Sequence, residues 1–430
     1  MRDSKHRVPL RHAIAVFAGN GLEFYDFLTF SYFAVYIGRT FFPSADPTTS
    51  LLESLGTFGA GFLTRPIGAI VIGGMGDRIG RKPAMLFSFS LMGFAILALS
   101  LTPSYAQIGV AAPILVLAAR LLQGFAVGGE VGPTTAYMAE SAPPHRRGLY
   151  LSMQYATQDA STLVAGLVGV TLASLLSDQQ LQDWGWRVAM ILGAAIVPFG
   201  LMIRRTLPET LHAADDAAFA PDATVGSLSL RARLRPYLLL AVLGLIMIGS
   251  GTVGAYSLDY MTTYGLTTLH LPATIAFTLT IINGAVSLSC EIMSGWLSDR
   301  YGRKPVMIIP GALLAVAIVP CFWVMNHFQG LTTLYAAEIV LAMLGATSSV
   351  PVVVTLTESL PPSVRSGAVA TVYAFAVSIF GGTTQFMHTL LIKLSGNPLA
   401  PAFYWTVAAV LGLVAMAMVP ESAPVRTVKR

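Results

Sequence analysis

Long apolar runs constrain the fold of this chain more than any other feature of its sequence. Hydrophobic residues occupy 54% of the 430 positions and charged residues only 11%, against about 25% charged residues in an ordinary soluble domain. A helix of about 20 apolar residues crosses the hydrocarbon of a bilayer, where every backbone amide needs a partner within the segment. The sequence predicts twelve such spans, at 13–37, 54–76, 84–102, 112–139, 148–175, 187–203, 237–261, 272–297, 305–326, 332–358, 365–393 and 400–419.

The positions of Lys and Arg test this number of spans, because cytoplasmic loops are enriched in both residues. With the N-terminus in the cytoplasm, 21 of the 26 fall in segments that twelve spans place on the cytoplasmic side. The net charge of +5 therefore indicates membrane topology rather than nucleic-acid binding. We predict a multi-pass membrane protein with both termini in the cytoplasm.

The chain also contains an internal duplication. GGMGDRIGRKP (73–83) returns as SGWLSDRYGRKP (294–305), and MAESAPPHRRG (138–148) returns as LTESLPPSVRSG (356–367). The copies follow the second and the fourth span of each half, which predicts two parallel six-helix bundles around a central site, an architecture of transporters. The predicted domains are an N-terminal bundle (1–203), a cytoplasmic linker (204–236) and a C-terminal bundle (237–430).

The repeated turn has the properties of a moving contact. Gly80 and Gly302 allow the backbone to turn tightly, while Asp77 and Asp299 can cap a neighbouring helix or pair with an arginine. The preference for positive charge in the cytoplasm explains the basic residues but not a copied D-R-x-G-R-K-P. The predicted cytoplasmic gate comprises Asp77, Arg78, Gly80, Arg81, Asp299, Arg300, Gly302 and Arg303.

Ionisable residues at bilayer depth are costly unless they are paired or hydrated, so each is a functional candidate. Glu23 and Asp26 lie three residues apart on one helical face, and two carboxylates held this closely tend to share a proton. We predict proton coupling at Glu23 and Asp26, and also at Glu130 within GGEVG. The alternative is that Arg65 or Arg120 holds one of these acids in a permanent structural ion pair.

Buried cations and polar side chains form the candidate substrate site. An arginine keeps its charge at physiological pH and can bind a carboxylate through two parallel hydrogen bonds. A carboxylate that leaves water also needs several other donors. The predicted substrate-binding residues are Asn20, Arg65, Arg120, Gln123, Gln154, Tyr155, Gln158, Tyr256 and Lys393.

The sequence lacks several motifs of other protein classes. It has no GxxxxGK[ST] phosphate loop, no cytoplasmic catalytic domain and no His/Cys metal cluster. We therefore expect no enzymatic activity, no cofactor and no metal, and we expect energy for transport to come from an ion gradient.

Several motifs resemble those of the major facilitator superfamily, namely the two D-R-x-G-R-K-P turns and RLLQG (120–124). Motifs similar to those of its metabolite:proton symporter branch are GNGLEFYDF (19–27), FLTRPIGA (62–69), LLQGFAVGGEVG (121–132) and WGWRV (184–188). YIGRTFFP (36–43), YMTTYG (260–265), SIFGGTTQ (378–385) and LLIKLSG (390–396) resemble the citrate and tricarballylate carriers.

This resemblance implies a symporter of the bacterial inner membrane that imports a di- or tricarboxylate, such as citrate or tricarballylate, together with protons by alternating access. We expect a monomer in the lipid bilayer. Asp159 lies where the family pattern has an uncharged residue. The alternative is therefore a symporter of another small organic acid or a zwitterion, such as 2-oxoglutarate, shikimate or betaine. A membrane sensor that binds the ligand without moving it is the alternative from another class.

Overall fold

The computed structural model describes residues 21, 24–25, 27–79, 81–128, 142–205, 238–328, 330–360, 369 and 371–427. Every regular element in these ranges is a helix. The N-terminal half contains α1 (Ala34–Phe41), α2 (Pro47–Leu63), α3 (Arg65–Ile79), α4 (Arg81–Leu101), α5 (Ala111–Gly128), α6 (Arg147–Leu175) and α7 (Trp186–Arg205). The C-terminal half contains α8 (Leu238–Asp259), α9 (Met261–Thr267), α10 (Ala273–Tyr301), α11 (Arg303–His327), α12 (Leu331–Ser359), α13 (Gly382–Ser395) and α14 (Ala400–Met418).

Short helical segments complete the described part of the chain. Three are α-helical turns, at Tyr105–Ile108, Asp178–Gln180 and Pro424–Thr427. A 3₁₀ turn at Pro144–Arg146 precedes α6, and π-helical segments at Leu181–Gly185 and Val377–Gly381 lead into α7 and α13. Residues 27–32 are also helical and lie within the first predicted span.

Nine helical segments of the described ranges are long and apolar enough to cross a membrane. They are Pro47–Ile72, Ala111–Gly128, Arg147–Leu175, Leu238–Asp259, Ala273–Tyr301, Arg303–His327, Leu331–Ser359, Thr371–Ser395 and Ala400–Met418. Each overlaps one of the twelve predicted spans, and the third predicted span contains the shorter apolar helix Leu86–Leu101. The first and sixth predicted spans are helical where they are described. The prediction of an all-α membrane protein is therefore confirmed, while most of the predicted linker lies outside the described residues.

The second span begins earlier than predicted, at Pro47 rather than at residue 54. Asp46 precedes it as the N-cap, and its carboxylate accepts a hydrogen bond from the backbone N–H of Thr48 at 3.0 Å. A proline at the first helical position is favoured because that position needs no intrahelical N–H donor. The predicted span began too late because it was defined by apolar residues, and the residues at the start of this helix are polar.

The predicted turn of the second repeat lies between α10 and α11. Gly302 separates the two helices with a φ of 105°. A side chain makes this backbone conformation unfavourable, so glycine is the residue that permits it. The local sequence therefore sets the place where the chain reverses.

The two halves pack against each other along α6 and α10. Gly148 faces Gly295 near one end of this interface, and Gly284 faces the backbone of Leu163 near its middle. A Cβ atom on Gly284 would lie 2.4 Å from the amide nitrogen of Leu163. Small residues allow the backbones of membrane helices to approach this closely, so glycine sets the distance between the halves.

Glycine substitutions test this packing. Gly284→Ala should destabilise the protein by about 1–3 kcal/mol, because overpacking forces the backbones apart. Gly345→Ala is the matched control, since the atom nearest to a Cβ added there would be 3.9 Å away. Alanine in place of glycine at an open helical position stabilises the folded protein by about 0.5–1 kcal/mol. Thermal unfolding of both purified variants in detergent measures the difference. Equal shifts in Tm would contradict this account of the interface.

Candidate functional site

A cavity of about 140 Å³ is lined by helices of both halves. In the N-terminal half, residues 24 and 28 and one face of α6 contribute to its wall. In the C-terminal half, α8, α10, α11, α12 and α14 contribute. The functional side chains used below are Tyr155, Gln158 and Asp159 from α6, Tyr256 and Asp259 from α8, and Glu291 from α10. A molecule held here contacts both halves at once.

Three of the predicted substrate-binding residues line this cavity. Tyr155 and Gln158 project from α6, and Tyr256 projects from α8. Gln154 is buried on α6 but is not part of the cavity lining. The helical period explains this division. Residues 155, 158 and 159 lie toward one face of α6, and residue 154 lies at the edge of that face.

Arg120 lies fully buried among aromatic rings beside the cavity. Its guanidinium carbon is 4.3 Å from the ring centroid of Phe27 and 4.5 Å from that of Phe30. Its Nη1 donates to Gln123 Oε1 at 2.6 Å, so this predicted residue contacts Arg120 directly. Within the described ranges, Nε and Nη2 of Arg120 have no hydrogen-bond partner. The arginine therefore keeps donor capacity for a further acceptor.

Arg65 lies on the other side of the same aromatic group. Its guanidinium carbon is 4.4 Å from the centroid of Phe27 and 4.2 Å from that of Phe62. The Phe62 ring in turn packs edge-on against Tyr256, with 5.6 Å between their centroids. Aromatic faces attract cations, and here the rings hold two arginines next to a residue that lines the cavity.

Acidic residues lie at the cavity itself. Asp259 Oδ1 accepts a hydrogen bond from the Tyr32 hydroxyl at 2.7 Å and lies 3.4 Å from Asn283 Nδ2. The carboxyl groups of Asp159 on α6 and Glu291 on α10 both line the cavity and lie close enough to interact. These three acids were not part of the predicted site, although an ionisable residue at bilayer depth is the signal that identifies them.

Lys393 lies away from the cavity, at the predicted outer end of α13. Its Nζ is 2.8 Å from Asp46 Oδ2 and donates to Thr49 Oγ1 at 2.7 Å. Hydrogen bonds from Lys393, Thr49 and the Thr48 backbone, in that order of effect, hold the pKa of Asp46 well below its ordinary value. An ordinary aspartate is already ionised at neutral pH, and the depressed pKa extends the attraction to Lys393 to pH values below the usual range of an aspartate.

The second copy of the predicted gate joins the two halves. Asp299 accepts hydrogen bonds from the backbone N–H groups of Gly148 and Leu149, both at 2.9 Å, at the first turn of α6. A carboxylate is favourable at a helix N-terminus because the free N–H groups carry partial positive charge. Arg303 Nη1 lies 2.7 Å from the same carboxylate. The C-terminal half thus caps a helix of the N-terminal half.

Arg303 connects this cap to the end of the chain. Its Nη2 and Nε donate to the Glu358 carboxylate at 3.0 and 3.1 Å. The Glu421 carboxylate accepts from the backbone N–H groups of Arg303 and Lys304 at 2.9 and 3.0 Å. Burial opposes ionisation of Glu421, but backbone hydrogen bonds outweigh it and hold its pKa below the ordinary value. Arg300 instead lies over the Trp296 ring, 5.5 Å from its centroid.

Several predicted site residues cannot be placed in this geometry. Asn20, Glu23, Asp26, Glu130 and Gly80 lie outside the described residues. Asp77, Arg78 and Arg81 belong to α3 and α4 by their backbone, and their side chains are not among those described.

The family model described as the Major Facilitator Superfamily matches residues 28–383. The chain belongs to the major facilitator superfamily. Its members are transporters, so this major facilitator protein is a multi-pass membrane transporter and not an enzyme. The family predicted from the repeated motifs is confirmed.

Two curated relatives and one solved structure illustrate the similarity of this major facilitator protein to known transporters. It is 34% identical over 410 residues to the citrate-proton symporter of Klebsiella pneumoniae, covering 94% of this chain and 90% of the relative. It is 36% identical over 393 residues to the alpha-ketoglutarate permease of Escherichia coli (strain K12), covering 91% and 88%. These relatives support the predicted branch of metabolite:proton symporters.

The crystal structure of the D-xylose-proton symporter has the same fold. It superposes with a TM-score of 0.76 at 19% sequence identity and covers 98% of this chain and 99% of that one. The predicted major facilitator fold, with two six-helix bundles, is therefore confirmed.

Removal of the Asp299 carboxylate tests the cap on α6. Asp299→Ala should speed amide hydrogen exchange at Gly148 and Leu149 about fivefold, because a side-chain cap contributes about 1 kcal/mol. Mass spectrometry of peptides from the start of α6 measures the rate. Asp183→Ala is the control, since this exposed acid accepts from the Gln179 side chain and caps no distant helix. Unchanged exchange at the start of α6 would contradict the cap.

Proposed function

We propose that the protein is a proton-coupled symporter that imports a di- or tricarboxylate, most specifically citrate or tricarballylate. It works in the bacterial inner membrane as a monomer, with both termini in the cytoplasm. The observation that carries the proposal is the cavity shared by the two halves, which carboxyl groups line and beside which two buried arginines lie behind aromatic rings. The citrate-proton symporter name of the Klebsiella pneumoniae relative supports the substrate class.

Contacts between the halves on both sides of the cavity support alternating access. The Asp299 cap lies on the predicted cytoplasmic side, and the Lys393–Asp46 pair lies on the predicted outer side. Rocking of the halves breaks one set of contacts while the other persists, so the cavity opens to one side at a time. The predicted gate residues act in this proposal as the cytoplasmic latch.

Proton coupling follows from the charges around the cavity. A substrate carboxylate placed beside ionised Asp159, Asp259 and Glu291 meets like charges, which is strongly unfavourable in a medium of low dielectric constant. Protons bound to cavity acids remove this repulsion and reduce the cost of taking a polyanion out of water. In this proposal Glu23, Asp26 and Glu130 take up protons as well.

The arginines supply the attraction for the substrate. Arg120 has two donor groups without a hydrogen-bond partner in the described ranges, and its planar guanidinium matches a carboxylate. Tyr256 lies between the aromatic rings around the arginines and the cavity, so its movement brings the guanidinium groups and the substrate together. Asn20, Gln154, Tyr155 and Gln158 supply further hydrogen bonds in the proposed site.

The acids at the cavity favour a second candidate, a zwitterionic substrate. Asp159, Asp259 and Glu291 line the cavity, whereas Arg65 and Arg120 lie behind aromatic rings. An ammonium or quaternary ammonium group would be attracted to ionised acids at this place. Measuring the uptake of a zwitterion beside that of carboxylates distinguishes this candidate from the dicarboxylate and tricarboxylate substrates.

Uptake into liposomes tests the proposal. The purified full chain is reconstituted, an inward proton gradient is imposed, and accumulation of labelled citrate, tricarballylate, 2-oxoglutarate and betaine is followed. We expect accumulation of citrate or tricarballylate that stops when the proton gradient and the membrane potential are collapsed. Accumulation that survives this collapse would exclude proton coupling, and uptake of betaine without any carboxylate would establish the second candidate. Binding of citrate without accumulation would indicate a sensor.

Two substitutions test the role of Arg120. Arg120→Ala should lower uptake more than about a hundredfold, because loss of a buried charged contact costs about 3–5 kcal/mol. Arg120→Lys should leave little activity, since a lysine lacks the planar pair of donors. Arg39→Ala is the control at an exposed arginine. Full activity of a correctly folded Arg120→Ala protein would remove this arginine from the mechanism.

A further inference from the structure

We propose that Asp159 and Glu291 form a proton-binding site between the two halves, separate from the acids of the first span. In this proposal the halves close along α6 and α10 only while the site holds its proton. The inference rests on the proposed function, because it adds a second proton site to the same transport cycle.

The position of the two acids supports this proposal. Asp159 belongs to α6 and Glu291 to α10, and their carboxyl groups lie close enough to interact across the interface between the halves. Both residues also line the cavity, so protons can reach them when the cavity opens to water. The pair thus lies where the two halves meet, and Asp159 is partly exposed there.

A hydrogen bond between the acids requires a proton. An ionised carboxylate only accepts hydrogen bonds, and a protonated carboxylic acid has one O–H to donate. Two carboxyl groups can therefore hydrogen-bond to each other only while one of them is protonated. Loss of that proton leaves two negative charges facing each other in a medium of low dielectric constant. The halves then repel each other at this point.

An unpartnered oxygen at the same site is a second observation. Glu291 is 5% exposed, and its Oε2 has no hydrogen-bond partner in the described part of the chain. A buried carboxylate oxygen without a donor is costly when it is charged. A bound proton removes this cost, because it neutralises the carboxyl group without any additional side chain.

Close backbone packing holds α6 and α10 together beside the pair. A Cβ on Gly284 would lie 2.9 Å from the backbone oxygen of Asp159, so α6 and α10 touch beside the pair. Gly166 meets Ile281 in the same way farther along the interface. In this proposal the repulsion between the ionised side chains acts across this contact and couples loss of the proton to opening.

The surrounding titratable groups are mostly acids and phenols. Around the pair lie Asp259 of α8, Tyr32 of the first span, Tyr155 of α6, Cys290 of α10 and Tyr373. Arg65 is the cation that acts on Tyr373. Negative charge on Asp259 adds to the repulsion that an ionised pair creates, so this environment strengthens the dependence on a proton.

Infrared spectroscopy tests the proton directly and without any substrate. The full chain in lipid is compared at about pH 5 and about pH 9, a range across which carboxyl groups can titrate. We expect a C=O band of a protonated carboxyl, identified by its shift in deuterium oxide, that disappears at the higher pH. The band should be absent from both Asp159→Asn and Glu291→Gln. Because other buried carboxyl groups contribute bands of their own, the band that both substitutions remove is the one that reports on the pair. If that band persists at both pH values, or if no band is lost in both variants, the proposal is overturned.

Transport measurements test the coupling. The Glu291→Gln side chain can donate an amide N–H to ionised Asp159, so the interface closes without a proton. We expect the number of protons moved per substrate to fall by about one in this variant. Asp159→Glu should keep the ratio of the original protein, and Glu53→Gln controls for loss of an exposed carboxyl group. An unchanged ratio in Glu291→Gln would overturn the proposal.

The two readouts separate this inference from the proposed function. If no organic acid or zwitterion is transported but the carboxyl band titrates and is lost in both variants, the proton site stands and the proposed function fails. If uptake is proton-driven while the band and the ratio are unaffected by either variant, the function stands and the site fails.

Discussion

The cost of placing charge in hydrocarbon governs the arrangement of this protein. A charged side chain at bilayer depth must be paired, hydrated or shielded. Arg65 and Arg120 meet this requirement with aromatic faces, while Asp159, Asp259 and Glu291 meet it at a cavity between the halves. The acids are therefore located where the two halves meet, and any relative movement of the halves changes their surroundings.

Features that depend on residues close together in the sequence were predictable from the sequence alone. The spans follow from the length of apolar runs, because no long-range contact is needed to decide that such a run is helical. The turn at Gly302 follows from a glycine between two helices. The cap formed by Asp299 follows from the ability of an aspartate to accept from a helix N-terminus, although the sequence did not identify α6 as its partner.

Contacts between distant helices were not predictable in the same way. Sequence reasoning identified Lys393 as a substrate contact, but its partner Asp46 is 347 positions away, and only the packing of α13 beside the start of α2 brings them together. The partnership of Asp159 and Glu291 likewise depends on the register of α6 against α10. The helical period predicts which residues share a face, but the rotation and translation of one helix relative to another come from packing across the whole interface.

The contacts that close the two sides of the cavity differ in kind. On the predicted outer side, Lys393 and Asp46 are 36% and 47% exposed, so water and salt weaken their attraction. On the predicted cytoplasmic side, Asp299 binds two backbone N–H groups, and fully buried Arg303 links it to Glu358. When the halves part, Asp299 loses the backbone N–H groups of α6 but stays paired with Arg303 within the C-terminal half, whereas Lys393 and Asp46 return to water as two exposed side chains. Solvent and salt therefore weaken the contact on the predicted outer side, whereas the contact on the predicted cytoplasmic side depends on the buried N-terminus of α6.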